Sequence, residues 1–147
     1  RQMCIRDRNI ILLQPTSPFR DSKDIDQAIT LFEISPKKTL VSATEISQHP
    51  GDCLIKGLNG KFKKLEVTLN SSNSSGRQAY SETIFIDGGI YIANTSMFLS
   101  TNEIIGNDPE IMMVNQSHAI DIDTIFDLNI ARAIYDSKEF STLYFND

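Results

Sequence analysis

Asn9-Ile10-Ile11-Leu12-Leu13, running straight into Gln14-Pro15-Thr16-Ser17-Pro18, restricts the fold more than any other stretch of this chain. Consecutive aliphatic residues fit a strand covered on both faces, as in a parallel sheet. The two prolines that follow deny regular structure and fix a rigid loop. Asp21 or Ser22 then caps a helix, with Ile25, Ala28, Ile29 and Phe32 at helical spacing and Pro36 as its stop. Thr39 to Ala43 reads as the next strand. Strand, helix, strand in that order is a βαβ unit, the signature of an α/β sheet.

Beyond Ile46 the character changes. Cys53-Leu54-Ile55-Lys56 and Lys61 to Leu65 flank Gly57-Leu58-Asn59-Gly60 and read as a hairpin. Lys61, Lys63 and Lys64 fall on its wet face. Asn70 to Gly76 is polar and low in complexity, as surface loops are. Ile84 to Ala93 is β-rich with Gly88-Gly89 in its middle, and glycine inside a strand marks a bulge or a close approach of backbone to a ligand. Ile111 to Val114 is a further short strand, and Thr124 to Ser137 closes the chain as a helix. The order contains no internal repeat and no second domain. Residues 1–8 lack a clear period and are expected to be a non-native scar, so 9–147 carry the fold.

A length of 147 residues suits one domain or most of one. A net charge of -5 argues against broad binding to nucleic acid, which needs a basic face, but allows a nucleotide substrate. Two cysteines, Cys4 and Cys53, make neither a disulfide framework nor a zinc pattern, and a reducing, cytoplasmic setting fits. No apolar stretch approaches the ~20 residues of a membrane helix, and no signal peptide is visible.

The chemistry concentrates in Ala119-Ile120-Asp121-Ile122-Asp123. On an extended backbone, residues i and i+2 share a face, so Asp121 and Asp123 would point one way while Ile120 and Ile122 pack. Two adjacent carboxylates repel unless a cation sits between them, and Mg²⁺ held by one or two carboxylates plus substrate phosphates is the natural partner. The alternative is that Asp123 caps the next helix and Asp121 is solvated.

Gln14 to Arg20 lies at the carboxyl end of a strand, the edge where open α/β sheets bind ligands. Gln14 both donates and accepts, so it suits a base or a sugar; the alternative is a loop whose prolines only hold a turn. Arg77-Gln78 would clamp a carboxylate or phosphate, or be merely solvated. Tyr91 is a candidate site residue or simple core. His49 and His118 lack metal-ligand spacing. No Walker loop, nucleophile elbow or dinucleotide fingerprint occurs.

Leu12 to Arg20, LLQPTSPFR, is similar to the LLQPTSPLR signature of the acylneuraminate cytidylyltransferases, the CMP-sialic acid synthetases. Asp87-Gly88-Gly89-Ile90-Tyr91-Ile92 resembles their NGAIYI strand. Ile120 to Asp123, with Asp127 downstream, matches their IDID-x-x-x-D motif. Arg77-Gln78 stands at the family's usual distance before the tyrosine strand. Order and spacing agree from Ile10 to about Asp136.

The resemblance implies a Rossmann-like nucleotidyltransferase fold, a three-layer mixed α/β sheet that is incomplete at its N-terminus. It also implies a reaction: the anomeric hydroxyl of a nine-carbon 2-keto sugar acid attacks the α-phosphate of CTP, and pyrophosphate leaves. Asp121 and Asp123 would hold Mg²⁺. Gln14 and Arg77 would position the acidic sugar, with Pro15, Thr16, Ser17, Gln78, Gly88 and Tyr91 around it. The family is usually a homodimer.

Departures from the pattern carry their own expectations. The family's glycine-containing A-R-x-G-S-K triphosphate loop does not precede LLQPTSP here. The chain is therefore expected to be the C-terminal two-thirds of such an enzyme, inactive alone, with apolar surface uncovered at the Ile10 to Leu13 strand. Asp87 and Gly89 replace the usual Asn and Ala, and Ser81 stands where proline is common. Asp52 falls near a lysine that some members use toward the sugar. Ile104-Ile105 occupy the place of aromatic residues that meet the sugar, and would suit legionaminate or pseudaminate, which are more apolar at C9. The rivals are a 3-deoxy-octulosonate cytidylyltransferase and a non-catalytic sugar-acid-binding or dimerisation module.

Overall fold

A computed structural model of the chain describes residues 8–46, 48–65 and 83–137. The expected βαβ unit forms. Strand β1 spans Asn9–Leu13, helix α1 Ser22–Ile34 and strand β2 Thr39–Glu45. Asp21 is the N-cap of α1: its side chain accepts from the Asp24 amide while the Asp24 side chain accepts from the Asp21 amide, a reciprocal capping box. The hairpin also forms, as β3 Leu54–Lys56 and β4 Phe62–Lys64, paired antiparallel. Gly60, at φ 77°, supplies the left-handed residue of its turn. Strand β5 runs Ile84–Asn94, helix α2 Thr95–Thr101, strand β6 Glu110–Met113 and helix α3 Ile125–Tyr135.

Helix α2 has no counterpart in the reading of the sequence above. Its signal is local: Asn94 accepts from the amides of Ser96 and Met97 as N-cap, and Asn102 ends the helix in the left-handed conformation at φ 58°.

The main sheet has the order β1-β5-β2-β6. β1 pairs antiparallel with β5, Leu12 opposite Tyr91, and β2 pairs parallel with β6. The sheet is therefore mixed. This corrects the expectation of a parallel strand covered on both faces at Asn9 to Leu13. Among the described residues β1 lies at the edge of the sheet, its one neighbour there is antiparallel, and Ile11 and Leu12 are about two-fifths exposed. An aliphatic run gives burial potential but does not say which neighbour supplies the cover.

One core cluster joins Ala28 and Phe32 of α1 to Leu40, Ile90, Ile92 and Met112 from three strands, with Leu13, Ile25 and Ile29 packed against it. Val41, Ala43 and Ala93, which alternate with those positions, are fully buried as well. Both faces of the central strands are thus shielded, as a three-layer arrangement requires. A second cluster gathers Phe19 and Ala131 with Ile120, Ile122 and Ile134.

The chain separates into two compact units, one running to Thr44 and resuming at Ile86, the other spanning Glu45–Phe85. In the second, His49 accepts from the Gly51 amide through Nδ1, and its Nε2 contacts Thr83 Oγ1. His49 is thereby a turn residue.

Candidate active site

The Gln14 to Arg20 loop leaves β1 and is fastened by its own residues. The Ser17 amide donates to Gln14 O at 3.4 Å. Phe19 is buried in the second core cluster and anchors the loop. Arg20 donates to two backbone carbonyls, Gln14 O at 3.1 Å and Gly89 O at 2.7 Å, so one guanidinium ties the loop to β5. The Ile122 amide donates to Thr16 O at 2.9 Å. That bond brings the acidic segment onto the same loop.

Three motifs that lie far apart in sequence therefore meet: Gln14, Gly88 and Asp121. Gly88 has φ 80°, and a Cβ built on it would run into Gln14 Oε1 and lie 3.7 Å from Asp121 Oδ2. Only glycine lets the three approach so closely. They converge at the carboxyl ends of β1, β2 and β6, the edge where this sheet class binds ligands.

Asp121 and Asp123 differ in environment. Asp121 is partly buried, and its Oδ1 is enclosed without a hydrogen-bond partner. Asp123 is exposed. Residues 119–123 form no strand, yet Ile120 and Ile122 still pack together against Phe19 and Ala131. Asp123 is not the helix cap. Thr124 caps α3, and its hydroxyl and amide both donate to Asp127, whose amide returns a bond to Thr124 Oγ1. The Asp127 carboxylate also accepts from the Asp123 amide at 3.2 Å. These bonds, the Thr124 hydroxyl first, hold the Asp127 carboxyl below the usual carboxylate range.

Tyr91 faces the same region. Burial pushes its phenol up, and the nearby Asp87 and Asp121 charges add to that. It stays protonated at neutral pH and available as a donor.

Four residues, Asp87, Ser42, Asp24 and His118, stand at this site without a role assigned from the sequence. Asp87 is 3% exposed, and its Oδ1 has no partner. It shares a small cavity with Arg20, Asp24, Ser42, Gly89 and His118. Ser42 Oγ accepts from the Ile90 amide at 2.7 Å, which stiffens β5 just past Gly89. His118 Nδ1 lies 2.9 Å from Asp24 Oδ2. A signal for Asp87 was available, since a carboxylate inside the run Ile84-Phe85-Ile86 to Ile90 breaks the apolar pattern and rarely survives burial without a purpose.

Two expected contributors are not brought to this site. Ile104 and Ile105 precede Gly106, whose amide donates to Thr39 Oγ1 at the opposite end of β2. The parallel course of β2 and β6 sends the 104–108 loop to the amino edge of the sheet, away from Gln14 and Asp121. Arg77 and Gln78 lie outside the described residues, as do Ser81, Cys4 and the polar stretch Asn70 to Gly76. Pro15 is exposed, Thr16 is partly buried and Ser17 is buried with a partnerless hydroxyl.

The donor set bears on a metal. Among the described residues no three His, Cys, Asp or Glu side chains converge on one point. A hard cation that takes one or two carboxylates and completes its shell with phosphate and water fits Asp121, whose enclosed oxygen otherwise has no partner.

No protein-family model matches the chain. Sequence similarity to curated proteins is clear. The chain is 29% identical over 134 residues to the CMP-N,N'-diacetyllegionaminic acid synthase of Legionella pneumophila, covering 86% of this chain and 53% of that protein. It is 29% identical over 129 residues to the N-acylneuraminate cytidylyltransferase of Escherichia coli, covering 86% of this chain and 30% of that one. The chain thus spans about half the length, or less, of the curated relatives it matches. Among solved structures, 4-diphosphocytidyl-2C-methyl-D-erythritol synthase from Anaerococcus prevotii superposes with a TM-score of 0.56 at 10% identity, over 92% of this chain and 62% of that one. The resemblance to acylneuraminate cytidylyltransferases read from the motifs holds over about 86% of the chain, and the fold is the Rossmann-like nucleotidyltransferase one.

Proposed function

We propose that this chain is part of a cytidylyltransferase that transfers CMP from CTP to a nonulosonic acid and releases pyrophosphate. The observation that carries the reading is the meeting of Gln14, Gly88 and Asp121, whose Oδ1 has no partner, at the carboxyl edge of the sheet. The names of the similar proteins, a legionaminic acid synthase and an N-acylneuraminate cytidylyltransferase, supply the reaction class.

In this reading Asp121 and Asp123 hold Mg²⁺, which when bound neutralises the charge that builds on the triphosphate. Asp121 is the inner ligand because its oxygen is already stripped of other partners, and Asp123 serves from the solvent side. Gln14 orients the sugar acid with its amide, Gly88 lets the substrate approach the backbone, and Tyr91 donates its phenol proton to an acceptor on the sugar. Arg77 and Gln78 would receive the sugar carboxylate. The protein acts as a homodimer in the cytoplasm. Among the described residues no helix is long and apolar enough to cross a membrane.

The test is pyrophosphate release by the intact gene product supplied with CTP, Mg²⁺ and, in turn, N-acetylneuraminate, legionaminate and pseudaminate. Turnover with at least one is expected, lost on Asp121→Asn. Turnover with 3-deoxy-octulosonate alone would transfer the assignment to that class. No turnover with any sugar acid would sink the proposal. The 147-residue chain by itself is expected to turn over little, because the similar synthase is nearly twice as long as the segment it shares.

A further inference from the structure

His118 and Asp24 are not used by that reaction, yet they join the first turn of α1 to the segment that carries the acidic pair. We infer that the Asp24–His118 contact is a positioning device that holds Asp121 at the carboxyl edge of the sheet. Its functional consequence rests on the proposal that Asp121 is a cation ligand.

The contact is short and rigid at both ends. His118 Nδ1 is 2.9 Å from Asp24 Oδ2, and the two side chains are 23% and 16% exposed. An ionised carboxylate can only accept, so Nδ1 carries the proton and donates. Asp24 does not drift, because its amide donates to Asp21 Oδ1 at 2.8 Å and its Oδ2 accepts the Asp21 amide at 3.1 Å. His118 is set by a turn, its amide donating to Asn115 O at 2.9 Å and the Ala119 amide to Gln116 O at 3.3 Å.

Downstream the segment is tied by the Ile122 amide on Thr16 O at 2.9 Å, and Ile120 and Ile122 pack against Phe19 and Ala131. Asp121 lies between these two ties, in backbone that belongs to no helix or strand. Irregular backbone needs such side-chain ties to hold a ligand within the tolerance a site demands. The groups that face His118 across the small cavity are Asp24 and Asp87, both acidic, and Arg20, whose Nη1 donates to the Gln14 and Gly89 carbonyls.

The experiment uses the whole chain and three variants. Hydrogen exchange of the Ile122 amide reads the position of the segment, and Mn²⁺ binding, followed by the loss of the free-ion paramagnetic signal, reads the ligand. In His118→Ala the Ile122 amide should exchange about tenfold faster and Mn²⁺ should bind about tenfold more weakly, under conditions where the variant is still fully folded. His118→Asn, which can keep a donor near the Nδ1 position, should restore both to within about threefold. Asp24→Asn, which can still accept through its amide oxygen, should fall between them. Unchanged exchange in His118→Ala overturns the inference. So does a His118→Asn variant as defective as alanine, because the contact would then be packing only. If exchange responds as expected while the unaltered chain takes up no Mn²⁺, the positioning stands and the cation reading of Asp121 fails.

Discussion

Gln14 sits so close against Gly88 that a methyl group on that glycine would overlap its side-chain oxygen. Any other residue there displaces the Gln14 side chain from its present position. The positive φ of 80° adds a second constraint of the same sign. Gly88→Ala should lower stability by about 2 kcal/mol, combining roughly 1–2 for the left-handed backbone with part of the overpacking cost. A urea midpoint measures it. An unchanged midpoint would mean that Gln14 turns away freely.

Asp87 places a carboxylate in the sheet with one oxygen enclosed and unpartnered. Leaving a buried charged acceptor unsatisfied costs more than the 1–3 kcal/mol typical of neutral groups. Asp87→Asn should accordingly raise stability by about 1 kcal/mol at neutral pH, since the amide needs partners but carries no charge. Denaturant unfolding of the two forms reads the difference, and a destabilised variant would show that a neighbour relies on the charge.

Acid should loosen α3 in a defined window. The Asp127 carboxyl is held below the ordinary value by donors from Thr124 and Asp123. A group with a lowered folded value contributes stability that is complete above its unfolded value of about 4 and is lost as pH falls through the folded one. Thr124→Ala removes the largest of these donors but leaves the two backbone amides, so it should weaken that pH dependence and cost about 1 kcal/mol, the usual worth of an N-cap. Helical circular dichroism against pH, in both forms, provides the comparison.

Tyr91 should titrate above the ordinary phenol value of about 10, because burial and two carboxylates oppose its ionisation. The sign for stability follows: the contribution is complete below about 10 and declines as pH climbs toward the folded value. Ultraviolet difference titration of the protein against Tyr91→Phe isolates this residue among the four tyrosines. Asp121→Asn should bring the transition down only in part, since burial is the larger cause.

Leu40 is fully buried in the cluster that joins α1 to the sheet. Leu40→Ala should cost about 2–5 kcal/mol, the range for truncating a core leucine. A loss under about 1 kcal/mol in denaturant unfolding would show that the sheet collapses onto the gap.

Local order in the chain was enough to find most elements. Apolar spacing from Ile25 to Phe32 marked α1, the Gly57 to Gly60 stretch marked the hairpin, and Gly88-Gly89 marked the place where β5 comes close to Gln14. Those readings succeed because helix period, turn chemistry and glycine's conformational freedom act over a few residues. The pairing of Asp24 with His118, separated by 94 positions, and the reach of Arg20 to Gly89, separated by 69, left no such trace. The edge position of β1, the remoteness of Ile104 and Ile105 from Gln14, and the enclosure of Asp87 likewise depend on which strand lies beside which. Sheet order and burial are sums over contacts between distant segments, and no short window of residues contains both partners of such a contact.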